Sequence, residues 1–152
     1  MVQYFFDTSA LVKHYRTEAG SAQVAALVSL PDRKIWVSNL GVVETQSAFG
    51  VRVRTGQLNH QVALEQRAMM MLDVAAGVFG VVRLSPDHFS EASKLLSRHC
   101  FVRRLRTLDA LQLAAALELH SFGLLDCFVA ADKALIEPAP RRHGRRRSRP
   151  RP

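Results

Sequence analysis

Hydrophobic and polar positions divide the chain into short apolar runs and longer stretches with helical spacing. Residues 2–6, Val-Gln-Tyr-Phe-Phe, form an apolar, aromatic run that predicts a short buried strand. The run stops at Asp7, and Thr8 and Ser9 precede a helical pattern. Such residues suit a helix N-terminus, so residues 2–15 predict strand, turn and helix in succession. Helical spacing, kept by Val24, Leu27 and Val28, continues to about Leu30 with a break near Thr17 to Gly20. Pro31-Asp32-Arg33 predicts a turn, and Ile35 to Val37 a second strand. Ser38 and Asn39 can cap the next helix, which carries Leu40, Val43, Glu44, Ser47, Ala48 and Val51.

Gly56 separates that helix from a long one over residues 57–76, where Met69-Met70-Met71 suits adaptable packing, in the core rather than at a protein interface. Val78 to Leu84 predicts a third strand, and Ser85 with Pro86 opens a helix to about Ser97. Thr107 is placed to cap a strongly apolar helix from Leu108 to about His120, closed by Gly123. Leu124 to Ala131 predicts a fourth strand, followed directly by Asp132. A short helix is expected over Lys133 to Glu137, stopped by Pro138.

This alternation predicts an α/β fold, with a central parallel sheet of about four strands flanked by helices and joined by right-handed crossovers. A chain of 152 residues favours one domain with one core. That domain is expected over residues 1–137, with 138–152 a disordered tail rich in arginine and proline.

Hydrophobic content of 48% and charged content of 22% fit a soluble globular chain, and no apolar run reaches the ~18 residues of a membrane span. The N-terminus lacks the pattern of a secretory signal, and Cys100 and Cys127 lack metal-type spacing; buried thiols in a reducing cytoplasm are expected. The net charge of +8 is concentrated in the tail, where residues 141–152 hold seven arginines and no acid. The rest of the chain is close to neutral, which argues against a broad cationic surface on the folded body.

Four carboxylates hold the candidate chemistry. Asp7 and Asp132 fall just past strands, where ligands bind in open α/β sheets. Glu44 lies on or beside the buried stripe of its helix, and Asp109 in the first turn of the Leu108 helix, beside Gln112 and Ala116. Each has an ordinary explanation: Asp7 and Asp132 as N-caps, Asp109 as a complement to the helix dipole, Glu44 as a boundary residue reaching solvent. Taken together they suit one acidic cluster at one edge of a sheet. Clustered carboxylates repel, and a divalent cation relieves that repulsion. Oxygen ligands without Cys or His point to Mg²⁺ or Mn²⁺, which can polarise a phosphoryl oxygen and activate water.

These residues resemble a known family. Phe6-Asp7-Thr8-Ser9-Ala10-Leu11, Glu44 in the helix after strand two, Leu108-Asp109-Ala110-Leu111-Gln112-Leu113-Ala114-Ala115-Ala116 and Phe128-Val129-Ala130-Ala131-Asp132-Lys133 are similar to the motifs of the PIN domain. More narrowly they resemble VapC-type toxins of toxin–antitoxin pairs, over residues 2 to about 137. The resemblance implies a Mg²⁺- or Mn²⁺-dependent endoribonuclease in the cytoplasm, with Asp7, Glu44, Asp109 and Asp132 holding the metal. Ser9 would support the site by hydrogen bonding, and Thr8 stands beside it. It also implies RNA as substrate, a homodimer and a cognate antitoxin protein.

The chain departs from the family pattern in two places. Ala130 stands where a Thr or Ser is frequent, and after Glu137 the chain runs into Pro138-Ala139-Pro140 where a final edge strand is usual, so that strand is expected to be absent. Other functions remain open. An Asp-nucleophile phosphatase would use Asp7, but position 9 is Ser where its motif needs a second Asp. A non-catalytic RNA or protein binder could act through the arginine tail or through Arg103, Arg104 and Arg106. The six histidines show no metal-ligand spacing.

Overall fold

The computed structural model describes residues 1–130 and the strand at 135–138. Its central sheet has the order β3-β2-β1-β4-β5. Four strands are parallel: β1 (Val2–Phe6), β2 (Arg33–Ser38), β3 (Phe79–Val82) and β4 (Cys127–Ala130). Helices α1 (Thr8–Tyr15) and α2 (Ser21–Ser29) join β1 to β2; α3 (Asn39–Arg54) and α4 (His60–Ala75) join β2 to β3; α5 (Pro86–His99) and α6 (Thr107–Ser121) join β3 to β4. The expected break in the first helical region is real. It falls between α1 and α2, where Gly20 takes a φ of 90°, open to glycine without strain.

The C-terminal end of the domain corrects two expectations. Leu135–Pro138 forms strand β5, where a helix was expected over Lys133 to Glu137 and no edge strand beyond it. β5 runs antiparallel to β4, pairing Ala130 with Leu135 and Cys127 with Pro138. The reason is non-local: without β5, the outer edge of β4 would present unpaired backbone groups. Pro138 is tolerated because it ends an edge strand. The tail expected to be disordered lies, from residue 139 onward, outside the described residues.

Both faces of the sheet are covered, as a parallel sheet requires. Along β1, Tyr4 and Phe6 belong to one core with Leu11, Val24, Ile35, Val37, Met70 and Phe79. Phe5 faces the other side and packs with Ala115, Ala116, Leu119 and Leu125. The alanines of α6 let that helix lie close to the sheet, and its outer side packs on α5 through Ala92, Leu95, Ala110, Leu111 and Ala114. Of the methionine run only Met70 is core, because the helical turn places Met69 and Met71 on the exposed side of α4. Cys100 is exposed and Cys127 half-buried, so neither is the fully buried thiol expected. Among the described residues no helix is long and apolar enough to cross a membrane.

Candidate functional site

The chain passes from β1 to β2 on one side of the sheet and returns from β3 to β4 on the other. The carboxyl ends of β1 and β4 therefore flank a switch point, where open α/β sheets bind ligands. Asp7 sits there, its backbone N–H donating to the Val129 carbonyl of β4 at 3.1 Å. Its Oδ1 caps α1, accepting from Ala10 N–H at 2.9 Å and Ser9 Oγ at 2.7 Å. Asp7 is thus both an N-cap and a lining residue of the cavity beyond the sheet.

That cavity, of about 230 Å³, is lined by Asp7, Thr8 and Ser9 from the start of α1, Glu44, Ala48 and Arg52 from α3, Asp109 and Gln112 from α6, and Val12, Glu18 and Arg106. On α3 the spacing Glu44, Ala48, Arg52 stacks three residues on one helix face. Three of the four expected carboxylates thereby meet in one cavity. The fourth, Asp132, lies outside the described residues.

Glu44 does not simply reach solvent. Its Oε2 accepts from Thr8 Oγ1 at 2.6 Å and from Gln112 Nε2 at 3.0 Å, and Gln112 Nε2 also donates to Thr8 Oγ1 at 2.9 Å. Gln112 is almost fully buried, and its Oε1 accepts from Ser38 Oγ at 2.7 Å. Ser38 in turn accepts from Gly41 N–H at 2.9 Å, capping α3. Because Glu44 can only accept, the Gln112 amide is fixed in one orientation. Asp109 is exposed at the start of α6, where it accepts from the Arg106 backbone N–H at 3.3 Å.

Cations stand near these acids. Arg52 Nη2 lies 3.7 Å and Arg16 Nε 3.6 Å from Glu18 Oε2, so Glu18 bridges both at one side of the cavity. Lys13 Nζ donates to the Ala19 carbonyl at 2.9 Å.

The donor set is chemically that of a hard-cation site: carboxylates and hydroxyls, with no Cys or His among the described lining residues. Among the described residues no three His, Cys, Asp or Glu side chains are gathered tightly enough to hold an ion by themselves. Neutral donors occupy part of the space instead: Ser9 on Asp7, and Thr8 and Gln112 on Glu44.

A larger cavity, of about 560 Å³, opens between α5 and α6 beside Asp87, His88, Lys94 and Glu118. His88 is committed there to local structure. Its Nδ1 accepts from Ser85 N–H at 2.9 Å, which leaves Nε2 as the donor to Glu118 Oε2 at 3.0 Å. Its described lining comes from α5 and α6 and includes no strand end, so the smaller cavity is the better candidate.

A family model for the PIN domain matches residues 4–135. The chain belongs to the PIN domain family. As a PIN domain it is similar in fold to the crystal structure of Mycobacterium tuberculosis VapC20, described as a sarcin–ricin-loop-cleaving toxin. The TM-score is 0.64 at 21% sequence identity, covering 90% of this chain and 99% of that one. FitAcB from Neisseria gonorrhoeae is similar with a TM-score of 0.57 at 20% identity, covering 89% and 97% respectively. No curated protein matches the chain.

Sequence reasoning brought Asp7, Ser9, Glu44 and Asp109 to one place but missed the role of Gln112. A lone polar side chain inside the Leu-Ala run of α6 was the available signal. It also left Arg52 out of the site, which nothing in its local pattern marks, and read Arg106 only as part of a basic segment apart from the acids.

Proposed function

We propose that this PIN domain is a Mg²⁺- or Mn²⁺-dependent endoribonuclease, the toxin of a toxin–antitoxin pair. The observation that carries the reading is the convergence of Asp7, Glu44 and Asp109 on one polar cavity at the sheet's switch point. Family membership and the likeness to VapC20 support RNA as the substrate class.

In this reading Asp7, Glu44, Asp109 and Asp132 hold the ion. When bound, it supplies charge neutralisation at the phosphoryl group and lowers the pKa of a water. The chain's own residues do the positioning. Ser9 fixes the Asp7 carboxylate, and Thr8 with Gln112 fixes Glu44. Arg52 and Arg106 stand at the cavity to meet the phosphate backbone. A phosphatase using Asp7 as nucleophile is disfavoured, because position 9 is Ser where that motif needs a second Asp.

A second copy of the chain and an antitoxin protein are the partners of this reading, in a cytoplasmic setting. The exposed side of α4, with Val62, Leu64, Met69, Met71 and Leu72, offers apolar surface for one of them. A second reading, binding without cleavage, is favoured by Ala130, which ends β4 with a methyl group where the family often has a hydroxyl.

The test is digestion of a mixed single-stranded RNA by the wild type. Products are expected with Mg²⁺ or Mn²⁺ and none with EDTA. RNA left intact by folded protein with either metal contradicts the nuclease reading.

A further inference from the structure

Between α5 and α6 the chain crosses residues 100–106, Cys-Phe-Val-Arg-Arg-Leu-Arg. Leu105 is half-buried and anchors the loop on the α5–α6 core. The turn preceding it is held by Val102 N–H and Arg103 N–H, which donate to the His99 carbonyl at 3.1 and 2.8 Å. This fold-back turns Phe101 and Val102 outward, 92% and 78% exposed. Single exposed apolar residues are ordinary on a protein surface. An aromatic ring almost wholly in water, followed by three arginines, is a different pattern.

The loop leads into α6, whose first turn carries Asp109, and Arg106 itself lines the acidic cavity. No acid occurs between Glu91 and Asp109, whereas Lys94, Arg98, Arg103, Arg104 and Arg106 all do. Among the described residues Arg103, Arg104 and Arg106 are in no ion pair. Cationic side chains that track a phosphate backbone, together with an aromatic platform, are the means by which proteins hold unpaired nucleic acid. A purely apolar protein partner would leave those arginines to be desolvated without a counter-charge.

We infer that the 100–106 loop is the site's RNA-holding arm: Phe101 stacks an unpaired base, while Arg103 and Arg104 bind phosphates of the strand that Arg106 meets at the cavity. The inference rests on the nuclease reading of the cavity. It deepens that reading by naming the residues that hold the strand outside the cavity. Val102 widens the apolar platform, and Arg106 links the arm to the cavity.

The experiment measures binding apart from cleavage, in the Asp7→Asn background with Mg²⁺ present. The probes are a short single-stranded RNA carrying a fluorescent adenine analogue and the same RNA annealed to its complement. Phe101→Ala is expected to weaken single-strand binding about ten-fold and to abolish the quenching of the analogue; Phe101→Trp is expected to retain both. Arg103→Gln with Arg104→Gln is expected to flatten the log–log salt dependence by about 0.7 for each phosphate no longer neutralised. Preference for the single strand over the duplex is expected throughout.

Equal affinity of Phe101→Ala and its parent overturns the inference, as does a parent that binds no RNA. Unchanged RNA affinity with loss of self-association in Phe101→Ala overturns it in favour of a protein interface. Phe101-dependent binding by a wild type that cleaves nothing would sustain the arm and sink the nuclease. Cleavage by a wild type whose rate ignores Phe101→Ala would do the reverse.

Discussion

Gln112 Nε2 lies 3.0 Å from Glu44 Oε2, joining α6 to α3 across the candidate site. One amide fixes a carboxylate 68 residues away, and it is itself fixed by Ser38 and Thr8. Gln112→Leu keeps the bulk but removes every one of these bonds. It should cost about 1–3 kcal/mol of stability, because Ser38 and Glu44 lose a partner in a buried setting. As a positioning residue, its loss should also raise the Mg²⁺ concentration needed for half-maximal RNA cleavage, while Gln112→Glu should repel Glu44 and do worse. Metal titration of cleavage checks this; an unchanged titration curve would make Gln112 a purely structural residue.

Gly41 bears on the same network. A Cβ built there would meet Gln112 Nε2 at 3.2 Å and Ser38 Oγ at 3.4 Å, a tight contact that the Gln112 amide would relieve by shifting slightly. Gly41→Ala should improve the helix by about 0.5–1 kcal/mol while displacing the amide by a few tenths of an ångström. The expected outcome is a protein of equal or slightly higher thermal stability with several-fold lower cleavage activity. Parallel melting and activity assays read both.

On the sheet, Gly80 of β3 sits opposite Trp36 of β2, whose indole lies over it and donates to Gln3 Oε1 at 3.1 Å. A Cβ at residue 80 would collide with the ring of Trp36 and reach Lys34 Cε at 3.0 Å. Gly80→Ala should therefore destabilise the fold by about 1–3 kcal/mol through overpacking. Denaturant unfolding measures it, and Trp36 fluorescence reports the displaced ring.

Much of this was legible in the sequence, for local reasons. The β1 run ending at Asp7, the caps at Ser38 and Ser85, and the break near Gly20 depend on residues within a few positions, and each appears as expected. Glu44 was legible as a helix-face acid, but its partners are 36 and 68 residues away, beyond any local pattern. The same limit hid β5. Four residues at 135–138 cannot declare strand or helix, and what makes them a strand is the open edge of β4. Met69 and Met71 were misjudged because an apolar run shows no phase; only packing chose Met70 as the inward residue.

His14 gives the fold a pH dependence. Burial holds its pKa below the ordinary value near 6.5; Arg33 pushes the same way and Asp73 opposes. Its Nδ1 is buried without a hydrogen-bond partner among the described residues, and the ring packs edge-on against Phe79. As pH falls below about 6.5, the unfolded chain takes up a proton that the native ring resists. Stability from His14 is thus present above that pH and is lost on acidification towards the lowered folded pKa. Urea unfolding at a series of pH values should show this fall, and His14→Phe should flatten it. A His14→Phe protein with the same acid slope as wild type would contradict the assignment.

The most direct test of the acidic site compares RNA cleavage by wild type, Asp7→Ala and Asp109→Ala at matched folded concentration in Mg²⁺ or Mn²⁺. The account predicts cleavage by wild type alone, with both variants reduced at least about a hundred-fold. Both should keep the wild-type circular dichroism. Full activity in either folded variant would contradict the claim that these carboxylates perform the reaction.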